Sequence, residues 1–154
     1  MASTTFYIDQ YTGDNTRVEG KLEDVTEGVR VTLTVVPDPV TGYVGDLEGV
    51  VFHIVDEDLI SSLQITGNVR GTPVLGPANS VLNLSGGVNW NGEGQTGFDF
   101  GFLLGDQGGN TSLTETVFVI SSTQKILTVD DFVGANPGPN ANDIGIRLKT
   151  VIDS

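Results

Sequence analysis

Cysteine is absent from the 154 residues, which excludes disulfides, thiolate metal sites and cysteine nucleophiles. Histidine occurs once, as His53, so a facial triad with two histidine ligands is excluded. No G-x-S-x-G elbow is present to place a serine beside it. Basic residues are scarce: 7 Lys and Arg stand against 20 Asp and Glu, for a net charge of −13. A phosphate backbone needs a basic footprint, so no nucleic-acid partner is expected. Anionic lipid is disfavoured by the same repulsion. No apolar run reaches the roughly 18 residues of a membrane-spanning helix, and no membrane insertion is expected. The opening MASTTFYIDQ has no basic start followed by an apolar stretch, so it does not read as a secretory signal. The phosphate-cradling pattern G-x-x-x-x-G-K-[ST] is missing as well.

What remains is a chain rich in glycine (21 residues) with 38% hydrophobic content. That is enough apolar material for a core, and 154 residues fit one domain that needs no cross-link to hold together. Alternation at every second residue recurs. In VRVTLTVV at 29–36, Val29, Val31, Leu33 and Val35 share one face against Arg30, Thr32 and Thr34. In GFDFGFLL at 97–104, Phe98, Phe100, Phe102 and Leu104 oppose Asp99, Gly101 and Leu103. In DIGIRLKTVI at 143–152, Ile144, Ile146, Leu148 and Ile152 oppose Arg147 and Lys149. The segments 49–55 (GVVFHIV) and 116–121 (TVFVIS) are apolar on both faces and read as central or doubly covered strands. Weaker strands are read at 4–10, 16–22, 62–66 and 80–85, with Gly-, Pro- and Asn-rich breakers between segments. One short helical turn is expected near 128–133, where Thr128 and Asp131 form a variant of the capping box. The fold class expected is all-β: a single antiparallel, jelly-roll-like β-sandwich of eight or nine strands over 1–154, with residues 1–12 as a strand arm.

Three constellations carry candidate chemistry. The surplus of acids points to Ca²⁺, a hard cation that takes carboxylate and carbonyl oxygens. Its candidate ligands are Asp46, Asp56, Asp58 and Asp106, although none lies in an EF-hand loop; the plain alternative is solvated loop acids. Trp90, flanked by Asn89 and Asn91 in a glycine-rich stretch, is a candidate carbohydrate platform; the plain alternative is a tryptophan packed over a sheet end. Glu93 and Asp99 are the one carboxylate pair considered for glycoside hydrolysis, and no catalytic activity is expected of them. His53, between Val51 and Val55 on its face, reads as a structural histidine. Phe6, Tyr7 and Ile8 form the centre of a Gly- and Pro-free arm that can complete its own sheet or a neighbour's.

The order of segments is VRVTLTVV, GDLEGVVFHIVDED, SLQITG, a Gly/Asn loop, GFDFGFLLGDQGG, TETVFVISS, ILTVDDFVG and IGIRLKTV. Over about residues 25–152, this order resembles a family of bacterial, largely cyanobacterial and proteobacterial, extracellular proteins that often end in a PEP-CTERM sorting tail. The matching patterns are Asp46 through Phe52 opening a strand, Phe-x-x-Gly at Phe98–Gly101, Leu-x-x-x-Asp-Phe at Leu127–Phe132, and a closing strand with Arg147. The resemblance implies an exported β-sandwich associated with surface or matrix material, and no catalytic residues. Residues Thr150 to Ser154 show no sorting motif, apolar tail or basic terminus, so anchoring by that route is not expected here. The functional expectation is an extracellular or cell-surface structural or adhesive subunit, Ca²⁺-stabilised and self-assembling as a homo-oligomer or filament. The alternative is a carbohydrate-binding module that meets surface polysaccharide through Trp90.

Overall fold

The computed structural model describes residues 3–9, 17–37, 39–40, 44–84, 88, 97–104, 113–133 and 144–151. Among them are nine strands: β1 Ser3–Asp9, β2 Arg17–Asp24, β3 Val29–Val36, β4 Val44–Phe52, β5 Leu63–Gly67, β6 Val69–Leu75, β7 Phe100–Leu104, β8 Glu115–Ser122 and β9 Ile144–Val151. They form two antiparallel sheets in the orders β1-β2-β3-β8-β5 and β6-β7-β4-β9. The sheets interlock. The chain crosses between the sheets after β3, after β4, after β5, after β7 and after β8. In space β3 pairs with β8, and β4 pairs with β7.

The alternation in 29–36 is realised as read. Val29, Val31 and Leu33 are fully buried, and Arg30 is exposed. Their partners across the sandwich are Val50, Phe52 and Ile54 from β4 and its exit, and Phe100, Phe102 and Leu104 from β7. Phe52 lies at the centre, its ring 5.1 Å from that of Phe100 and 5.9 Å from that of Phe102. Ile146 and Leu148, expected in the core, are half-buried and pack against it. On β8, Phe118 and Ile120 face inward while Val117 is 42% exposed, so the outer face of the first sheet is left open to water. Lys21, Glu23 and Arg30 pair there, with Arg30 Nε 3.2 Å and Lys21 Nζ 3.4 Å from the Glu23 carboxylate.

The outer face of the second sheet is covered instead. Val81, Leu84, Val88 and Phe98 pack on Val51 and Leu103 as a second apolar cluster. The chain doubles back here, with the Leu84 N–H donating to the Val88 carbonyl at 2.8 Å. Glycine lets this layer sit close. A Cβ on Gly49 would lie 2.9 Å from Val88 Cγ1, and one on Gly101 would lie 2.5 Å from Val51 Cγ1 and 2.8 Å from the Val50 carbonyl oxygen. Gly101→Ala therefore forces β4 and β7 apart, and is expected to cost about 1–3 kcal/mol, as overpacking of a tight core does. Urea unfolding of the variant checks this.

Three sequence expectations are corrected here. Within the expected strand at 80–85, the described residues 80–84 hold only isolated bridge positions, at Val81 (to Phe98) and Asn83. Phe98 does not share a face with Phe100, because the chain bends at Asp99 before β7 begins, and Phe98 joins the outer cluster. A second 3₁₀ turn, Glu57–Ser62, precedes β5 in addition to the expected one at Val129–Asp131. The latter is tied down from both directions. Asp131 Oδ2 accepts the Thr128 N–H at 2.8 Å, and Asp24 Oδ1, at the end of β2, accepts the Val129 N–H at 2.8 Å.

Candidate functional site

Two of the acids proposed as Ca²⁺ ligands, Asp46 and Asp56, accept backbone N–H groups. Asp46 on β4 accepts the Leu113 N–H at 2.8 Å through Oδ1, which moors the segment entering β8. Asp56 caps the 3₁₀ turn, its Oδ1 accepting the Asp58 N–H at 3.1 Å, and Asp58 lies in the first turn. The two ends of this set, Asp46 and the Asp56–Asp58 pair, lie on opposite sides of the end of β4. Among the described residues, no three His, Asp or Glu side chains gather as a metal would require. Asp106 lies outside the described residues, as do Asn89, Trp90, Asn91 and Glu93. Val88, the neighbour of Asn89, is 3% exposed and belongs to the outer apolar cluster.

Asp99 and His53 are brought together, a pairing the sequence reading did not make. His53 follows β4 and Asp99 precedes β7, adjacent antiparallel strands whose register ends at Phe52↔Phe100. The step beyond that pair puts the two polar side chains side by side. Each is 1% exposed. His53 Nδ1 lies 3.6 Å from Asp99 Oδ2, outside hydrogen-bonding range, and finds no hydrogen-bond partner among the described residues. The imidazole lies over the Phe98 ring, with centroids 4.8 Å apart. The carboxylate is fully engaged: Oδ2 accepts the Ile54 N–H at 2.8 Å and Oδ1 accepts the Asn79 N–H at 2.9 Å. Burial pushes its carboxyl pKa up, but the neighbouring His53 and the two backbone donors outweigh burial, and the net direction is down.

Asn79 completes this knot. Its backbone is left-handed, at φ 58°, a conformation that Asn tolerates. Its side-chain amide donates to Glu57 Oε2 at 2.8 Å. One buried carboxylate thus joins the exit of β4, the turn after β6 and the 3₁₀ segment. The buried arrangement acts as a clamp that ties these three segments together. The signal was present in the sequence as two oddities, a lone acid inside GFDFGF and a lone histidine inside GVVFHIV, each explaining the other.

The sheet borders are the remaining candidates. The first sheet ends on β1 and β5, the second on β6 and β9. β1 pairs with β2 of the same chain in an unbroken register from Ser3↔Glu23 to Asp9↔Arg17. Phe6 and Ile8 stand opposite Gly20 and Val18, two of the three buried positions of β2, and Tyr7 stands opposite Glu19. No described strand pairs with the other side of β1. No protein family, curated protein or solved structure matches the chain.

Proposed function

We propose that this domain is an extracellular structural or adhesive subunit that joins other copies of itself through a sheet border. The observation that carries the reading is the contrast among the four borders. Folded proteins keep edges from pairing by shortness, bulges, proline or inward and outward charges. β5 has five residues. β6 contains Pro73, a left-handed Gly71 and a break in register between Arg70 and Val74. β9 carries Arg147 and Lys149. β1, STTFYID, has no proline, no glycine and no break in its register, and its one charge, Asp9, is its last residue. The extracellular placement rests on the resemblance in segment order alone.

Sedimentation velocity over a wide concentration range tests the reading. The expected result is a weight-average mass that rises with concentration, more readily in high salt, where the −13 charge of each copy is screened. A monomer under all conditions would reject it. The Ca²⁺ component has its own readout: saturation at about 100 times Kd adds roughly 2.7 kcal/mol to stability, which a chelator must then remove.

A further inference from the structure

We propose that the apolar layer on the outer face of the second sheet, formed by Val81, Leu84, Val88 and Phe98, is a strap that lifts as a unit about Asn79 and Asp99 while the sandwich beneath stays closed. The sheet under it is complete without it. β4 pairs with β7 and β9, and β7 pairs with β6 as well as β4, so lifting the strap breaks no strand pair. The N–H groups of Ser80, Val81, Leu84 and Phe98 all donate within the strap and its feet. Val81 and Phe98 exchange both backbone bonds at 2.9 Å, Ser80 donates to the Pro77 and Phe98 carbonyls, and Leu84 donates to the Val88 carbonyl. The strap meets the sheet through side-chain packing on Val51 and Leu103, and none of these side chains belongs to the main core between the sheets. The feet are held differently. Ala78 packs against the main core. The Asp99 N–H donates to the Phe52 carbonyl at 2.8 Å, Oδ2 accepts the Ile54 N–H, and Oδ1 accepts the Asn79 N–H. One carboxylate therefore pins both feet together at the exit of β4. Asn79, left-handed at φ 58°, turns the chain from its anchored foot into the strap, and hinges are a few such residues that absorb the backbone change. A segment with few buried apolar contacts belongs to the low-stability end of a fold, which opens ahead of the core. Lifting the strap presents Val51 and Leu103, otherwise buried, as a flat apolar strip beside Gly101 and Gly49, their partners in register.

The chain has no cysteine, so a single introduced thiol reports opening at one place. Val88→Cys puts it in the strap and Val31→Cys in the main core, and both valines are buried. Each variant is labelled with an excess of a soluble aromatic disulfide across a urea series below its unfolding midpoint, and its global stability is measured by equilibrium urea unfolding. The expected result without urea is labelling about 100 times faster at position 88 than at position 31, because a local opening lies below the global one in free energy. The urea dependence at position 88 should be at most about half that at position 31, because this slope follows the surface exposed. Position 31 should follow the global transition. Val81→Cys against Val29→Cys repeats the comparison should either of the first variants fold poorly. Hydrogen exchange on the unmodified chain reads the same opening without a substitution: the Val81 and Leu84 amides should exchange ahead of those of Val50 and Val51 in β4, which is paired on both sides. A common rate and urea slope for strap and sandwich in either measurement overturns the proposal, because the two would then open only together.

Discussion

Asp99→Ala is expected to remove about 2–6 kcal/mol of stability, because two buried backbone donors lose their acceptor. The alanine leaves the Ile54 N–H and the Asn79 N–H without their acceptor, and each orphaned buried donor costs about 1–3 kcal/mol. Asp99→Asn is nearly isosteric and still costly, because its NH₂ must face one of two backbone donors. The carboxylate also makes stability depend on pH. Its folded-state pKa lies below the ordinary value, so its contribution is complete above the unfolded pKa of about 3.9 and is lost as pH falls through the folded value. Urea midpoints measured from neutral pH into the acid range check this. The wild-type curve should fall more steeply below about pH 4 than that of Asp99→Asn. Parallel curves would mean that this carboxyl does not carry the acid sensitivity.

Phe52→Ala is the second large effect, also expected at about 3–5 kcal/mol. Phe52 is fully buried. It stacks on Phe100 and meets Phe118 and Phe132 edge-on, with centroids 6.2 and 6.0 Å away. Removing this ring opens a cavity bounded by strands of both sheets, and the interlocked β3–β8 and β4–β7 pairs cannot close over it without breaking register. With domains of this size losing about 2–4 °C per kcal/mol, the melting midpoint should drop on the order of 10 °C. Phe52→Leu, which keeps most of the volume, should recover more than half of the loss. A loss confined to a degree or two for the alanine variant would show that the sandwich interior collapses to fill the gap.

The contrast between Phe52 and Phe98 shows what periodicity can and cannot reveal. Alternation placed Val29–Val36 and Phe100–Leu104 correctly because regular strands preserve a period of two. Phe98 has the right spacing but lies before the bend at Asp99, and a bend of one residue sends it to the outer cluster. β6 escaped notice for a related reason. Gly71 and Pro73 read as breakers, and they do break the ladder between Arg70 and Val74, yet both halves pair with β7. The covering of the second sheet by residues around Val81 and Leu84 was legible only as apolar positions without a partner. Tertiary contacts decide which layer such positions join. Of the candidate acids, Asp46 and Asp56 were singled out for their charge. Their partners are backbone N–H groups, and one of these, on Leu113, is 67 residues distant from Asp46. No local pattern encodes such a contact.

The interlock described above also fixes an order of events during synthesis. The centre of the first sheet joins Val29 to Ile120, and the centre of the second joins Phe52 to both Phe100 and Ile144. A nascent chain can therefore close neither layer until most of its length has left the ribosome. Until then the β1–β2–β3 meander, whose contacts are local and quick to form, waits as a three-stranded ribbon with the β1 border already bare. Chains emerging side by side from one messenger would meet along that border before their cores exist.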